Sequence, residues 1–275
     1  MATNPLQQYY RQPKIYINLP SKGVYNPPGS LTGDPENMPV YGMTGMDEII
    51  AKTPDALLTG ESTARVIASC CPSIKDPWQL SAIDISTVMA AIRIATSGNM
   101  MAIEHTCLNC GTVNDYDVDL NKVIDHFRNK QFKTDIELES LTLKLQPLSY
   151  KTANEFSLRN FRTQQQINQT KDLTDDAVRQ EAVNKLFKEL GELQKDIYLA
   201  GIEAVQTRDT VVNDRGFIKE WLENCDKNVF DKIRELNETN LKEWEIPGFP
   251  VECDNCQTKV TLTIDLDQSS FFVQA

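Results

Sequence analysis

The chain has 275 residues, 40% of them hydrophobic and 24% charged, with a formal net charge of −11. That length can bury a large core in one or two domains, and that composition excludes wholesale disorder. The acidic balance, with no basic run along the chain, argues against a phosphate-tracking surface, and no apolar run approaches the roughly 20 residues that span a bilayer.

The N-terminus, "MATNPLQQYYRQPKIYINLP", lacks the apolar stretch of a secretion signal, so the protein is expected in the cytosol, where thiols stay reduced. Seven cysteines then read as free or metal-bound, not as a disulfide framework. Residues 1–45 are rich in Pro, Gly, Asn and Tyr, giving turns between short extended pieces, with "KIYINL" as a strand and "MPVYGM" as its partner. From Asp47 to Cys71 two short helices are expected, broken at "LLTG" and ended by Pro72. Asp84 is placed to cap a clearer helix whose Ile85, Val88, Met89 and Ile92 share a face, with Gly98 at its C-terminal cap.

"MMAIEHTCLNCGTVNDYDVDL" reads as strand, cysteine turn, strand, with Tyr116, Val118 and Leu120 alternating against Asp115, Asp117 and Asp119. A short helix follows in "NKVIDHFRNKQF", then an alternating stretch with Leu141, Leu143 and Leu145 on one side. The middle third is helical and polar: "KTANEFSLRNFRTQQQIN", then a longer segment running to "AVQT". In the second, Val183, Leu186, Leu190, Leu193, Ile197, Ala200 and Ala204 form the 3-4 seam of a helix packed lengthwise on another. Asp175 and Asp176 suit its positive end. Short helices around "DRGFIKEWLENC" and "KNVFDKIRELN" lead to a final strand, cysteine turn and strand in "FPVECDNCQTKVTLTIDLDQSSFF".

That ending repeats the earlier phrase. "CLNCGTVNDYDVDL", from Cys107, and "CDNCQTKVTLTIDL", from Cys253, are identical at six positions: both cysteines, Asn, Thr, Asp and Leu. A Cys-x-x-Cys turn offers two thiolates, and a structural zinc takes four in a tetrahedron. Cys107, Cys110, Cys253 and Cys256 therefore complete one closed site, each knuckle supplying half. An iron–sulfur cluster uses the same four-thiolate set. A thioredoxin-type redox pair fits less well, because neither motif opens a helix after a buried strand. His105 lies near enough to substitute as a ligand, although a surface strand histidine is the simpler reading. His126 reads as an ordinary helix residue, and Cys70, Cys71 and Cys225 as small core residues.

No phosphate-cradling Gly loop or nucleophile elbow is present, and two histidines leave few general-base candidates, so no enzyme is expected. The expected fold is α+β: a zinc-ribbon-like pair of Cys-x-x-Cys hairpins with N-terminal short strands and helices and a long helical insertion. Its divisions are an extended segment at 1–45, an α+β core carrying the first knuckle at 46–150, a helical arm at 151–240 and the terminal hairpin at 241–275.

Several pieces in order resemble a known family. They are Leu19–Gly23, Met43–Asp47, Leu57–Gly60, Arg93–Ala95 and the Cys107–Gly111 knuckle with its acidic strand. This pattern resembles the baseplate hub subunit and hub-assembly proteins of T-even-type contractile-tailed phages, closely over residues 15–125 and more loosely at the terminal knuckle. Gln257 departs from it by standing where a Gly would follow the second knuckle. The resemblance implies a structural or assembly component of the baseplate hub. Its partners would be other hub and tail proteins, with the tape-measure protein among the candidates. It would act in host cytoplasm during assembly, either leaving as a helper or staying in the virion. The arm is then expected to engage another tail protein. The alternative, a zinc ribbon that contacts nucleic acid, calls for basic and aromatic knuckles, whereas these flanks are acidic.

Overall fold

The computed structural model describes residues 4–51, 59–138, 140–172, 174–264 and 266. Two compact units divide the chain, one formed from the segments before Phe132 and after Trp244, the other from Phe132–Trp244.

In the first unit, β1 (Ile15–Ile17) pairs antiparallel with β2 (Met38–Val40), as the alternation predicts. Between them lies a turn-rich loop whose Leu19 is buried. Arg11, just before β1, ties the segment down. Its guanidinium donates to the Gly42 carbonyl, to Ser69 O and Oγ at 2.7 and 2.8 Å, and to Asp47 Oδ2 at 3.2 Å. Asp47 also accepts from the Thr44 backbone N–H and hydroxyl at the start of α1 (Gly45–Ala51). Although burial pushes its carboxyl the other way, these hydrogen bonds, one involving Ser69 and the Arg11 charge hold it below the ordinary Asp range.

The "LLTG" break falls partly outside the described residues. At its end Gly60, at φ 74°, precedes α2 (Glu61–Cys70). Cys70 and Cys71 close α2 fully buried, as small core residues. The helix α3 (Ala82–Ser97) ends at Gly98, whose N–H bonds Ile94 O, as expected. Its start and its face differ from expectation. Ser81 holds the N-cap position, and Asp84 lies inside the first turn, where its carboxylate accepts from Ser21 N at 2.8 Å and Ser21 Oγ at 2.5 Å. Burial pushes Asp84 up to about 7, against the pull of those two hydrogen bonds. Buried residues also surround α3 more broadly than one stripe: Thr87, Val88, Met89, Ala90, Ala91 and Ile92 are consecutive. A helix apolar nearly all round sits in the middle of its unit. Gly42 lets the chain pass against it, since a Cβ there would stand 2.7 Å from Ala95 O.

From α3 the chain enters an antiparallel ribbon, β3 (Met100–Thr106) and β4 (Val113–Asp119), in continuous register from Met100↔Asp119 to Thr106↔Val113. Val118 and Leu120 are buried while Asp115 and Asp117 are exposed, so the alternation is realised. The short helix α4 (Asn121–Arg128) packs back on α3 through Val123, Ile124 and Phe127. The unit is completed by β9 (Phe249–Glu252) and β10 (Lys259–Leu262), paired from Lys259↔Glu252 to Leu262↔Phe249.

The second unit has its own core. Here β5 (Asp135–Glu137), β6 (Thr142–Leu145), β7 (Ile202–Gln206) and β8 (Val211–Val212) form an antiparallel sheet in that order. Leu143, Leu145, Ile202 and Val205 meet Ile218 and Leu222 of α7 (Arg215–Asn224) and Ile233 of α8 (Lys227–Glu243). Cys225, at the end of α7, packs half-buried against this core. Asn240 pins the entry to β5, accepting from Lys133 N and donating to Lys133 O.

The long helices α5 (Tyr150–Gln169) and α6 (Asp176–Gly201) pair, with Arg159 bonded to Asp196 at 2.9 Å and Leu186 and Leu193 buried. Asp175 caps α6, accepting from Ala177 N and Val178 N. The predicted seam is cut short: α6 stops at Gly201, and Ala204 belongs to β7. Ile202 and Val205 fill the sheet core there, so the burial available to a strand overrides the helical spacing.

Candidate metal centre

Each knuckle is built the same way from its own backbone. In the first, Cys107 N donates to Thr112 O at 2.8 Å and Gly111 N to Cys107 O at 2.8 Å. In the second, Cys253 N donates to Thr258 O at 3.0 Å and Gln257 N to Cys253 O at 2.8 Å. The turn needs a left-handed residue at its fifth position. Gly111 takes φ 73° and Gln257 takes φ 58°, so the second knuckle carries a side chain where the first carries none.

The hairpins meet in a reciprocal pattern. Cys107 Sγ lies 3.6 Å from Cys256 Sγ, and Cys110 Sγ lies 3.7 Å from Cys253 Sγ. Asn109 Nδ2 donates to Thr258 Oγ1 at 3.2 Å, and Asn255 Nδ2 donates to Thr112 Oγ1 at 3.1 Å. The Asn and Thr that recur in both phrases are thus one another's partners across the site, as a pseudo-two-fold relation requires. Their repetition was the signal in the sequence, but identity alone did not say that they pair. Two further contacts break the symmetry. Tyr116 Oη donates to Glu252 O at 3.0 Å, and Asn114 accepts from Asp254 N at 3.1 Å.

All four Sγ atoms lie within 4.8 Å of one another. A zinc bound to four thiolates at about 2.3 Å has sulfur–sulfur edges of about 3.8 Å, so the donor set and its spacing fit a structural metal. Cys107 and Cys253 are buried, Cys256 is half-buried and Cys110 is exposed.

The thiols do not behave alike. Hydrogen bonds from the Thr258 hydroxyl and backbone N–H, then from Asn109 and Cys110, bring Cys256 down to about 5. The Thr112 hydroxyl and N–H likewise lower Cys110. At Cys107 the N–H groups of Cys110 and Asn109 favour the thiolate, but burial and the thiols of Cys256 and Cys110 prevail, and it rises to about 11. Thiols this close cannot all ionise without a cation, since each negative charge opposes the next. A bound dication would remove that conflict, and four thiolates around it would leave no open ligand position, the donor arrangement of a structural site.

The other candidates stand apart from this group. His105, half-buried on β3, is not among the clustered donors. His126 is on α4 with its Nε2 2.7 Å from Lys130 Nζ. Burial pushes Cys70 up to about 11 and Cys71 higher still, which suits inert core thiols.

Among the described residues no helix is long and apolar enough to cross a membrane. No curated protein and no solved structure matches the chain. A family model described as T4 bacteriophage base plate protein matches residues 44–273, from the start of α1 through both cysteine knuckles. By that match over most of its length, the chain belongs to the T4 bacteriophage base plate protein family.

Proposed function

We propose that this protein is a structural or assembly component of the baseplate hub of a contractile tail. One zinc ion, held by Cys107, Cys110, Cys253 and Cys256, joins its two hairpins as a zinc-ribbon-like clamp. The observation that carries the clamp is the convergence of four thiols from sequence positions about 150 apart onto one point. Base plate family membership supports the tail role and, with it, other tail proteins as partners. Bound zinc would supply the cross-link that a short polar contact between two ribbons lacks. A structural zinc site is worth on the order of 10 kcal/mol, comparable with the whole stability of a domain.

In this reading residues 151–240 form the part that engages neighbouring tail proteins. The buried Leu186 and Leu193 are used within the α5–α6 pair, so contact falls to outward residues such as Phe161 and Phe187, 50% and 60% exposed. Hub proteins and the tape-measure protein are the partners proposed, and the site of action is the assembling or finished tail. A nucleic-acid role is disfavoured by the ribbon itself, where Glu104 stands opposite Asp115 and next to exposed Asp117.

The test is protein analysis of purified virions and of tail-assembly intermediates, with and without Cys253→Ser in the phage. Presence of the chain in hub-containing intermediates, with hubs lost in the variant, is the expected result. Complete hubs assembled without the chain would contradict it.

A further inference from the structure

The reciprocal contacts relate the two hairpins by a pseudo-two-fold axis, yet the buried eighth position breaks that relation. The eighth residue of each phrase is Asn114 in the first and Val260 in the second. Asn114 is only 3% exposed, on β4, and every polar atom of its amide is engaged. Nδ2 donates to Thr112 O at 3.0 Å, and Oδ1 accepts from Asp254 N at 3.1 Å. Those two backbone groups fix which end of the amide is which, since a flipped amide would set donor against donor. The second Nδ2 proton is then left for Cys253 Sγ, 3.6 Å away. Protonated, Cys253 can instead donate to Oδ1, also at 3.6 Å.

We propose that Asn114 is the positioning residue of the four-thiolate site. It docks the terminal knuckle through Asp254 N–H and directs one N–H···S hydrogen bond at Cys253, orienting that sulfur as a ligand. This rests on the metal reading given above. Groups that hold metal ligands by hydrogen bonds from behind commonly set affinity and ligand orientation. The second hairpin has no equivalent, because a valine at 260 has no donor. Cys107 is oriented instead by its knuckle backbone, and the site is electronically two-sided: one sulfur carries a side-chain amide donor and its counterpart does not.

Two measurements on the full-length chain decide this. In the first, isotope-labelled protein is loaded with ¹¹³Cd(II) and couplings from the metal to amide protons are recorded. The proposal expects a coupling to one side-chain amide proton of Asn114 in addition to those of knuckle backbone amides. Couplings to other amides with none to Asn114 would overturn it. In the second, Asn114→Val is compared with wild type in Co(II) binding by chelator competition and in the sulfur-to-cobalt charge-transfer band. The expected loss of affinity is about 10- to 100-fold, with the band moved to lower energy as one sulfur loses its hydrogen bond. Cys225→Ser, in the other unit and away from all four sulfurs, is the control and leaves both affinity and band at their wild-type values. Wild-type affinity and band in Asn114→Val would overturn the proposal. Wild-type protein that takes up neither metal overturns the metal reading itself, and is recognised because no coupling of any kind is seen.

Discussion

The side-chain amide of Asn109 donates to the hydroxyl of Thr258, 149 residues further along the chain. Its mirror contact runs from Asn255 to Thr112, so the two ends of the first unit are held by a matched pair of polar bonds around four sulfurs. Each bond is exposed, and a hydrogen bond of this kind nets only about 0.5–1.5 kcal/mol. A double-mutant cycle on Asn109→Ala and Thr258→Val should return a coupling of about 1 kcal/mol or less in chemical denaturation. The same cycle on Asn109 and Thr112, which are not partners across the site, should return close to nothing.

On the proposed metal reading, the four sulfurs supply the larger share. Cys253→Ser, or removal of metal with a strong chelator, should lower the thermal midpoint of the first unit. It should also make the β9–β10 hairpin sensitive to proteases, because the clamp is worth several times more than the polar contacts around it. Cys225→Ser, in the other unit, should leave that protease pattern unchanged. Limited proteolysis read by mass spectrometry separates the two.

The knuckle turns predict opposite responses at equivalent positions. Gly111→Ala places a Cβ on backbone at φ 73°, with no heavy atom within 4 Å to clash, so its cost is that of the left-handed conformation alone, about 1–2 kcal/mol. Gln257→Gly relieves that conformation at φ 58° and should stabilise the terminal knuckle by about 1 kcal/mol or less, since glycine also gains freedom when unfolded. Equilibrium unfolding of both variants checks the signs.

Asp84 predicts a pH dependence. Its folded pKa is raised to about 7 from 3.8, so the folded state holds the proton more tightly than the unfolded one. Its contribution is then fully present below about pH 4 and is lost as pH rises towards 7, an effect on the order of a few kcal/mol. Asp84→Asn keeps the size and stays uncharged, so the stability of wild type relative to the variant should fall across pH 4–7. A flat difference over that range would show that Asp84 ionises in the fold without penalty.

What the sequence made legible follows from how local each signal is. The β1–β2 pair, Gly98 at the end of α3 and the alternating arm of β4 all rest on patterns within a few residues. The meeting of Cys107 with Cys256 was legible because the chain wrote one phrase twice, and a two-ligand knuckle is chemically incomplete alone. Asp84 was misread for the opposite reason. An aspartate at a helix start ordinarily caps it, and only the remote Ser21 turns this one inward. The end of α6 at Gly201 and the strand character of Ile202–Gln206 depend on pairing with β6, which helical spacing cannot report. Asn114 carried no signal at all, since an Asn on a strand reads as a solvated residue until Asp254 is placed beside it.

On the proposed reading, one metal ion ties the two hairpins together. X-ray absorption at the zinc edge of protein purified under reducing conditions tests it most directly. About one zinc per chain is expected, with a first shell of four sulfurs near 2.3 Å, reduced to three sulfurs in Cys253→Ser. A shell of two sulfurs completed by oxygen or nitrogen, or a stoichiometry of two ions per chain, would mean that each knuckle binds by itself, and would contradict it.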